Sequence, residues 1–188
     1  MDGEVEVRVY EQDAGEGTSR DRATTFATLA ERHLDEAYGL ARLIVGDTAE
    51  AEDATHDAFV AAWRGWRGLR DPARFDAWFG RILVNTCRNR VRRLRRRAVV
   101  DVSVLVAMPD RARDPNLSLL DRAEIGPAFA DLSREHREVV ALRYYLDLPV
   151  DQIAYRLGIP DGTVKSRLHY ALRALGGALE HERQEVDR

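Results

Sequence analysis

The stretch GIPDGTVKSRLHYALRAL, residues 158–175, decides how the C-terminal half of the chain is built. Val164, Leu168, Ala171, Leu172 and Leu175 recur at steps that line one side of a helix. The preceding PVDQIAYRL, residues 149–157, offers a matching stripe in Ile153, Ala154 and Leu157, with Gly158-Ile159-Pro160 as the turn between them. Two short helices joined by a glycine-containing turn predict a helix-turn-helix, whose second helix suits the major groove of DNA. The face left over carries Thr163, Lys165, Ser166, Arg167, Tyr170 and Arg173, and no acid beyond Asp161 at its start. Hydroxyls and cations in that arrangement suit phosphate anchoring and the reading of base edges. Lys165 is the only lysine in the chain.

Upstream of this pair, Leu117–Leu132 and Ser133–Tyr144 read as two further helices, with Ser133 as an N-cap and Pro127 expected to kink or end the first. Residues 117–178 thus form a small helical domain, followed by a tail at 179–188. Before it, AVVDVSVLVAMPDRARDPN, residues 98–116, alternates valine with other residues and then turns to prolines and mixed charge. An isolated strand has nothing to pair with in a helical chain, so this segment is expected to be an extended linker.

The N-terminal half predicts three helices. Thr25–Val45 is amphipathic and ends at Gly46, which tolerates a left-handed turn. Asp47, with Glu50 three residues on, starts the second helix, which runs to about Trp66 and buries Ala51, Ala54, Ala58/Phe59, Ala62/Trp63 and Trp66. Asp71-Pro72 starts the third, an N-cap followed by proline in the first turn, and it runs to Arg97. Residues 23–97 form a helical domain, and the acidic residues 1–22 a disordered tail. The expected fold is all-α, two small helical domains joined by an extended linker.

The net charge of −3 hides a segregation. Residues 1–22 hold seven acids against three arginines, whereas RNRVRRLRRR, residues 88–97, holds seven arginines and no acid. A mildly acidic chain with one dense basic block implies a localised polyanion contact. No apolar run is long enough to span a bilayer, and the acidic start lacks the features of a signal peptide, so a cytoplasmic protein without membrane insertion is expected. The single cysteine, Cys87, excludes an internal disulfide framework, and as a helix residue it is expected in the core. The five histidines, at 33, 56, 136, 169 and 181, are scattered with no metal spacing, and no glycine-rich phosphate loop follows a strand. Neither enzyme activity, cofactor nor metal is expected.

LSREHREVVALRYYLDLPVDQIAYRLGIPDGTVKSRLHYALRAL resembles the promoter-binding C-terminal domain of bacterial RNA polymerase sigma factors of the extracytoplasmic-function (ECF) type, in the sigma-70 family. GTVKSRL and LRYY are its most specific parts. Independently, AEDATHDAFVAAW and DPARFDAWFGRILVNTCRNRVRRLRRR resemble two helices of the family's N-terminal domain. The resemblance covers about residues 25–178, in the right order.

What it implies is a set of expectations. The chain would bind core RNA polymerase, direct it to specific promoters, and help open the downstream (−10) element while the helix-turn-helix reads the upstream (−35) element. Glu52, Asp53, His56 and Asp57 would meet the coiled coil of the polymerase β′ subunit, with further contacts to the β subunit. An acidic face can pair with arginines of a partner helix, although His56 stands where the family has glutamine. The loop at 65–71, with Trp66, Arg67 and Arg70, would capture a flipped base of the downstream element. Arg74, Arg81, Asn85 and Arg88 would approach promoter DNA, and the block from Arg90 to Arg97, Arg92 and Arg93 included, its phosphates. An anti-sigma factor is the expected inhibitor. The competing reading is a free-standing helix-turn-helix regulator that does not join polymerase, which would need neither the acidic face nor the tryptophan-bearing loop.

Overall fold

A computed structural model describes residues 10–100 and 125–186, with side chains described for 21–96 and 126–178. Among the described residues all regular structure is helical. In the first domain α1 (Tyr10–Val45), α2 (Thr48–Gly65) and α3 (Phe75–Val100) pack on one another, with 3-10 turns at Trp66–Gly68 and Pro72–Arg74 between the last two. The second domain holds α4 (Ile125–Asp131), α5 (Arg134–Val140), a π-helical turn at Ala141–Tyr145, α6 (Val150–Leu157) and α7 (Asp161–Val186).

Helix ends sit where local chemistry demands them. Asp47 accepts from the Glu50 N–H at 2.8 Å, Asp71 from Ala73 at 3.0 Å and Ser133 from His136 at 3.3 Å, each satisfying an N–H that lacks an intrahelical acceptor. Gly46 and Gly158 follow α1 and α6 with φ of +83° and +66°, a left-handed conformation that glycine adopts without steric cost.

Several expectations of extent are corrected. The first helix starts at Tyr10, taking in residues 10–22 of the stretch assigned to a disordered tail. No proline interrupts that stretch, and the Thr25 and Thr28 hydroxyls donate to the Asp21 and Thr24 carbonyls one turn back. The final helix likewise continues to Val186, past the boundary set at 178, because Gly176 and Gly177 weaken a helix without removing its donors. Pro127 lies within α4, and the part of the expected helix that precedes Ile125 lies outside the described residues. The helix expected over 133–144 passes at residue 141 into the π turn, in which Leu146 N donates to the Ala141 carbonyl five residues back. Residues 98–100 of the expected linker 98–116 continue α3, and its remainder, with residues 1–9, 117–124 and 187–188, lies outside the described residues.

α2 turns a stripe of fully buried alanines, Ala51, Ala54, Ala58 and Ala62, towards its neighbours, and such small side chains let helices approach closely. Below it Phe75 and Phe79 stack 5.3 Å apart, with Phe26 and Trp66 edge-on to Phe75. Trp63, expected inside, is 48% exposed, whereas Trp66, also expected inside, is buried. In the second domain Val139, Leu142, Ile153, Val164 and Ala171 are buried. Of the expected α7 stripe, Leu168 and Leu175 are half-buried and Leu172 is exposed, so the buried face is centred on Val164 and Ala171.

The two domains are docked, α3 against α6 and α1 against α5 and the π turn, so their apolar residues form one continuous cluster. Two helical glycines make this approach possible. A Cβ at Gly39 would stand 1.9 Å from the Tyr145 hydroxyl, and one at Gly80 2.6 Å from Arg156 Nη1. Glycine inside a helix costs about 1 kcal/mol relative to alanine, so each of these positions gives up local stability for space.

Candidate functional site

α7 enters its helix at Pro160, whose carbonyl accepts from Thr163 at 2.9 Å and Val164 at 3.1 Å. Burying Val164 and Ala171 leaves Lys165, Ser166, Tyr170 and Arg173 exposed together on the outward face. Ser166 donates to the Thr163 carbonyl at 3.0 Å, which leaves the hydroxyl free to accept. Thr163 and Arg167 are half-buried. Arg167 lies close enough to Glu135 on α5 to act on its charge, and its Nη1 is buried without a hydrogen bond. Partial burial alone would raise the Glu135 carboxyl. A backbone hydrogen bond, Arg134 and Arg167 together outweigh it and hold that carboxyl below its ordinary range.

α3 carries the second cationic face. Arg74 precedes it, and Arg81, Asn85 and Arg88 follow at helical spacing; the first three are exposed and Arg88 is half-buried. The second domain docks on this face. Arg88 donates from Nε and Nη2 to the two oxygens of Glu138, at 3.0 and 2.7 Å, and from Nη1 to the Leu157 carbonyl at 3.1 Å. Arg81 stands over the Tyr155 ring, 5.7 Å from its centroid, a cation–π contact. Arg156, 2% exposed, pairs with Asp76 at 2.6 Å. Further along α3, Arg92 and Arg93 point into solvent.

The loop between α2 and α3 borders a cavity of about 280 Å³, lined by Gly68, Leu69, Arg70, Arg74, Trp78 and Tyr155 among others. Arg67 and Arg70 are exposed beside it. Trp66 is not a loop surface: at 5% exposure it is a core ring, so any stacking surface at this cavity comes from Trp78 and Tyr155.

The acidic face of α2 is ordered by a partner that sequence reasoning assigned elsewhere. Arg90 donates from Nε to Glu50, from Nη2 to Asp53 and from Nη1 to Asp57, the last at 3.1 Å. Glu52 and His56 remain exposed alongside. Glu50 therefore does not complete a capping box with its side chain. Glu50 and Arg90 had one available signal: Glu50, Asp53 and Asp57 share a helical face and need a counter-charge.

His33, Glu36 and Asp76 bring potential ligand atoms within 4.8 Å of one another, but the Arg156 guanidinium already holds Asp76. A fixed positive charge there disfavours a cation. Cys87 is fully buried, and burial, with the Glu138 charge adding to it, pushes its thiol up to about 12, the opposite of a reactive cysteine.

The chain matches the family model Sigma-70 region 2 over residues 29–97 and the model Sigma-70, region 4 over residues 128–175. It is a sigma-70 family factor of the ECF type. An ECF RNA polymerase sigma factor, SigL of Mycobacterium tuberculosis, is 36% identical over 161 residues, 85% of this chain and 91% of the relative. An RNA polymerase sigma-E factor of Streptomyces avermitilis is 33% identical, over 74% of this chain and 76% of the relative. Among solved structures, the sigma factor RpoE in complex with the anti-sigma factor NepR from Bartonella quintana aligns with a TM-score of 0.68 at 23% identity. That alignment covers 82% of this chain and 96% of that one. CnrH in complex with the cytosolic domain of CnrY aligns at 0.60 and 26% identity, covering 83% and 88%. The protein is thus an RNA polymerase sigma factor, a transcription initiation factor, and the free-standing regulator is not favoured. Its regions 2 and 4 are the two helical domains, and no helix among the described residues is long and apolar enough to cross a membrane.

Proposed function

We propose that this sigma factor joins core RNA polymerase in the cytoplasm through Asp53, Asp57 and their neighbours Glu52 and His56, which meet the β′ coiled coil. The face Thr163, Lys165, Ser166, Arg167, Tyr170 and Arg173 reads the upstream element, with Lys165 and Arg173 exposed for phosphates and Ser166 for a base edge. Arg67, Arg70, Arg74, Arg81, Asn85 and Arg88 engage the downstream element, and Arg92 and Arg93 its phosphates.

One observation carries the mechanism. Arg81 and Arg88, two side chains assigned to downstream DNA, are both engaged by region 4, through Tyr155 and through Glu138 and Leu157. While those contacts last, region 4 occupies ground that DNA needs. Promoter recognition then requires region 4 to lift away, which binding to core polymerase at a fixed spacing of the two domains accomplishes. Free protein should be nearly inert on DNA. An anti-sigma protein, such as those seen with the structural relatives, is the fitting antagonist, because holding the docked form suffices to silence both domains.

The test is run-off transcription with bacterial core polymerase over a genomic promoter pool. Wild type should give specific transcripts, Arg167→Ala should lose promoter choice while keeping core binding, and Asp53→Ala should lose core binding. Tight, specific promoter binding by the purified protein without core would refute the mechanism.

A further inference from the structure

The basic block on α3 is not uniform. Arg92 and Arg93 are exposed and pair with no acid among the described residues, whereas Arg90, two residues earlier, is turned into the first domain with 18% of its side chain exposed. There it meets Glu50, Asp53 and Asp57, which recur at i, i+3 and i+7 on α2. All three nitrogens of its guanidinium are committed, one to each acid. A planar fork is suited to this division of donors in a way that a single ammonium is not. Three of its five N–H groups are thus taken, and the three carboxylates around it leave no net positive charge there to attract a phosphate.

The consequence for the acids is order. Asp53 and Asp57 keep 65% and 52% of their side chains exposed while one oxygen of each is held from behind by Arg90. Without a cation, these carboxylates and Glu50 would repel one another along the helix face and spread among rotamers. With it, one oxygen of each is anchored, and the exposed remainder of each carboxylate stays open to a partner. The local charge is still net negative, three carboxylates against one guanidinium, so a cationic partner remains attracted. Fixing side chains before association lowers the entropy cost of binding.

We infer that Arg90 is a positioning residue for core polymerase binding, organising the Asp53–Asp57 face, and not a member of the promoter phosphate clamp. The inference rests on the assignment of that acidic face to polymerase, and it makes two opposed predictions for one residue. Arg90→Gln should weaken binding to core polymerase by on the order of tenfold. Holoenzyme formed from the same variant at saturating core should bind promoter DNA with an unchanged dependence on salt. By comparison, Arg93→Gln should leave core binding intact and lower the salt slope of promoter binding by about one.

The experiment titrates fluorescently labelled full-length wild type, Arg90→Gln, Arg90→Lys, Asp53→Asn and the Arg90→Gln/Asp53→Asn double variant with core polymerase, with promoter titrations of each holoenzyme from low to high salt. Arg90→Lys, which keeps the charge but not the fork, should fall between wild type and Arg90→Gln. In the Asp53→Asn background the effect of Arg90→Gln should shrink, since the two act through one contact. A general loss of folding would instead make the double variant additive and lower the melting temperature of Arg90→Lys as well. Tighter core binding by Arg90→Gln would mean that Arg90 competes with polymerase for the acids and would overturn the proposal. So would equal core binding, or a salt slope reduced by one. If wild type itself fails to bind core, the assignment of the acidic face falls and the inference falls with it; wild-type binding with any of the former results removes the inference alone.

Discussion

Arg88 and Glu138 form a two-pronged ion pair across the junction of the two domains, with Glu138 wholly buried and Arg88 at 19% side-chain exposure. Fifty residues of sequence separate them. The pair lies against the Leu157 carbonyl at the end of α6, so one guanidinium links α3, α5 and the turn of the helix-turn-helix.

Removing Arg88 leaves the buried Glu138 with only the Arg134 guanidinium, 3.5 Å away and not hydrogen-bonded to it through Nε, as counter-charge. Arg88→Met should therefore destabilise the docked protein by about 3 kcal/mol, the low end for a broken buried pair. Adding Glu138→Leu to Arg88→Met should recover most of that loss. Urea unfolding of the three proteins checks it; a double variant no more stable than the single one would show that the pair itself, and not the orphaned charge, holds the domains.

Gly80→Ala separates helix stability from docking. Alanine favours an isolated helix by about 1 kcal/mol, yet its Cβ would meet the Arg156 guanidinium and disturb the pair with Asp76. Solution scattering should show a larger radius of gyration for the variant than for wild type, with helical content retained. The variant should also bind downstream promoter DNA more readily without polymerase. Unchanged scattering would mean that Arg156 swings aside at little cost.

Trp66 and Arg67 are neighbours with opposite environments, the first buried and the second exposed. Trp66→Ala should cost about 3–5 kcal/mol of stability, because its ring fills the aromatic core beside Phe26 and Phe75. Arg67→Ala should change stability by no more than about 0.5 kcal/mol and act on promoter opening alone. Chemical denaturation and transcription from a single promoter distinguish the two.

Cys87 gives a dependence on pH with a definite sign. Its thiol is raised from 9.0 to about 12 in the folded protein, so the folded state favours the neutral form. The contribution is fully present below pH 9, where both states hold the proton. It is lost as pH rises from 9 towards 12, because the unfolded chain ionises first. The slope attributable to this group is about 1.4 kcal/mol per pH unit. Cys87→Ala should therefore lose stability less steeply than wild type between pH 9 and pH 10.5. A thiol reagent at pH 8 should modify wild type only after denaturant is added.

Local chemistry alone determined where the described helices begin and end at Asp47, Asp71, Ser133, Gly46 and Gly158, because a cap or a left-handed glycine acts within three residues of itself. It also determined the helix-turn-helix, since Ile153, Leu157, Val164 and Ala171 must meet across a three-residue turn. The segments that carry the family resemblance are contiguous and needed no fold to be read. That Trp63 stays half-exposed while Trp66 is buried was not legible, because Trp66 leaves α2 in the 3-10 turn after Gly65, and that turn sets where its ring goes. The fates of the arginines were not legible either. Arg88, Arg90, Arg92 and Arg93 look alike as a basic run, yet one is held by region 4, one by the acids of α2, and two face solvent. That sorting depends on carboxylates 33 to 50 residues away, brought within hydrogen-bond reach only when α2 and α5 have docked on α3. Charge is a property of the residue; its partner is a property of the packed structure.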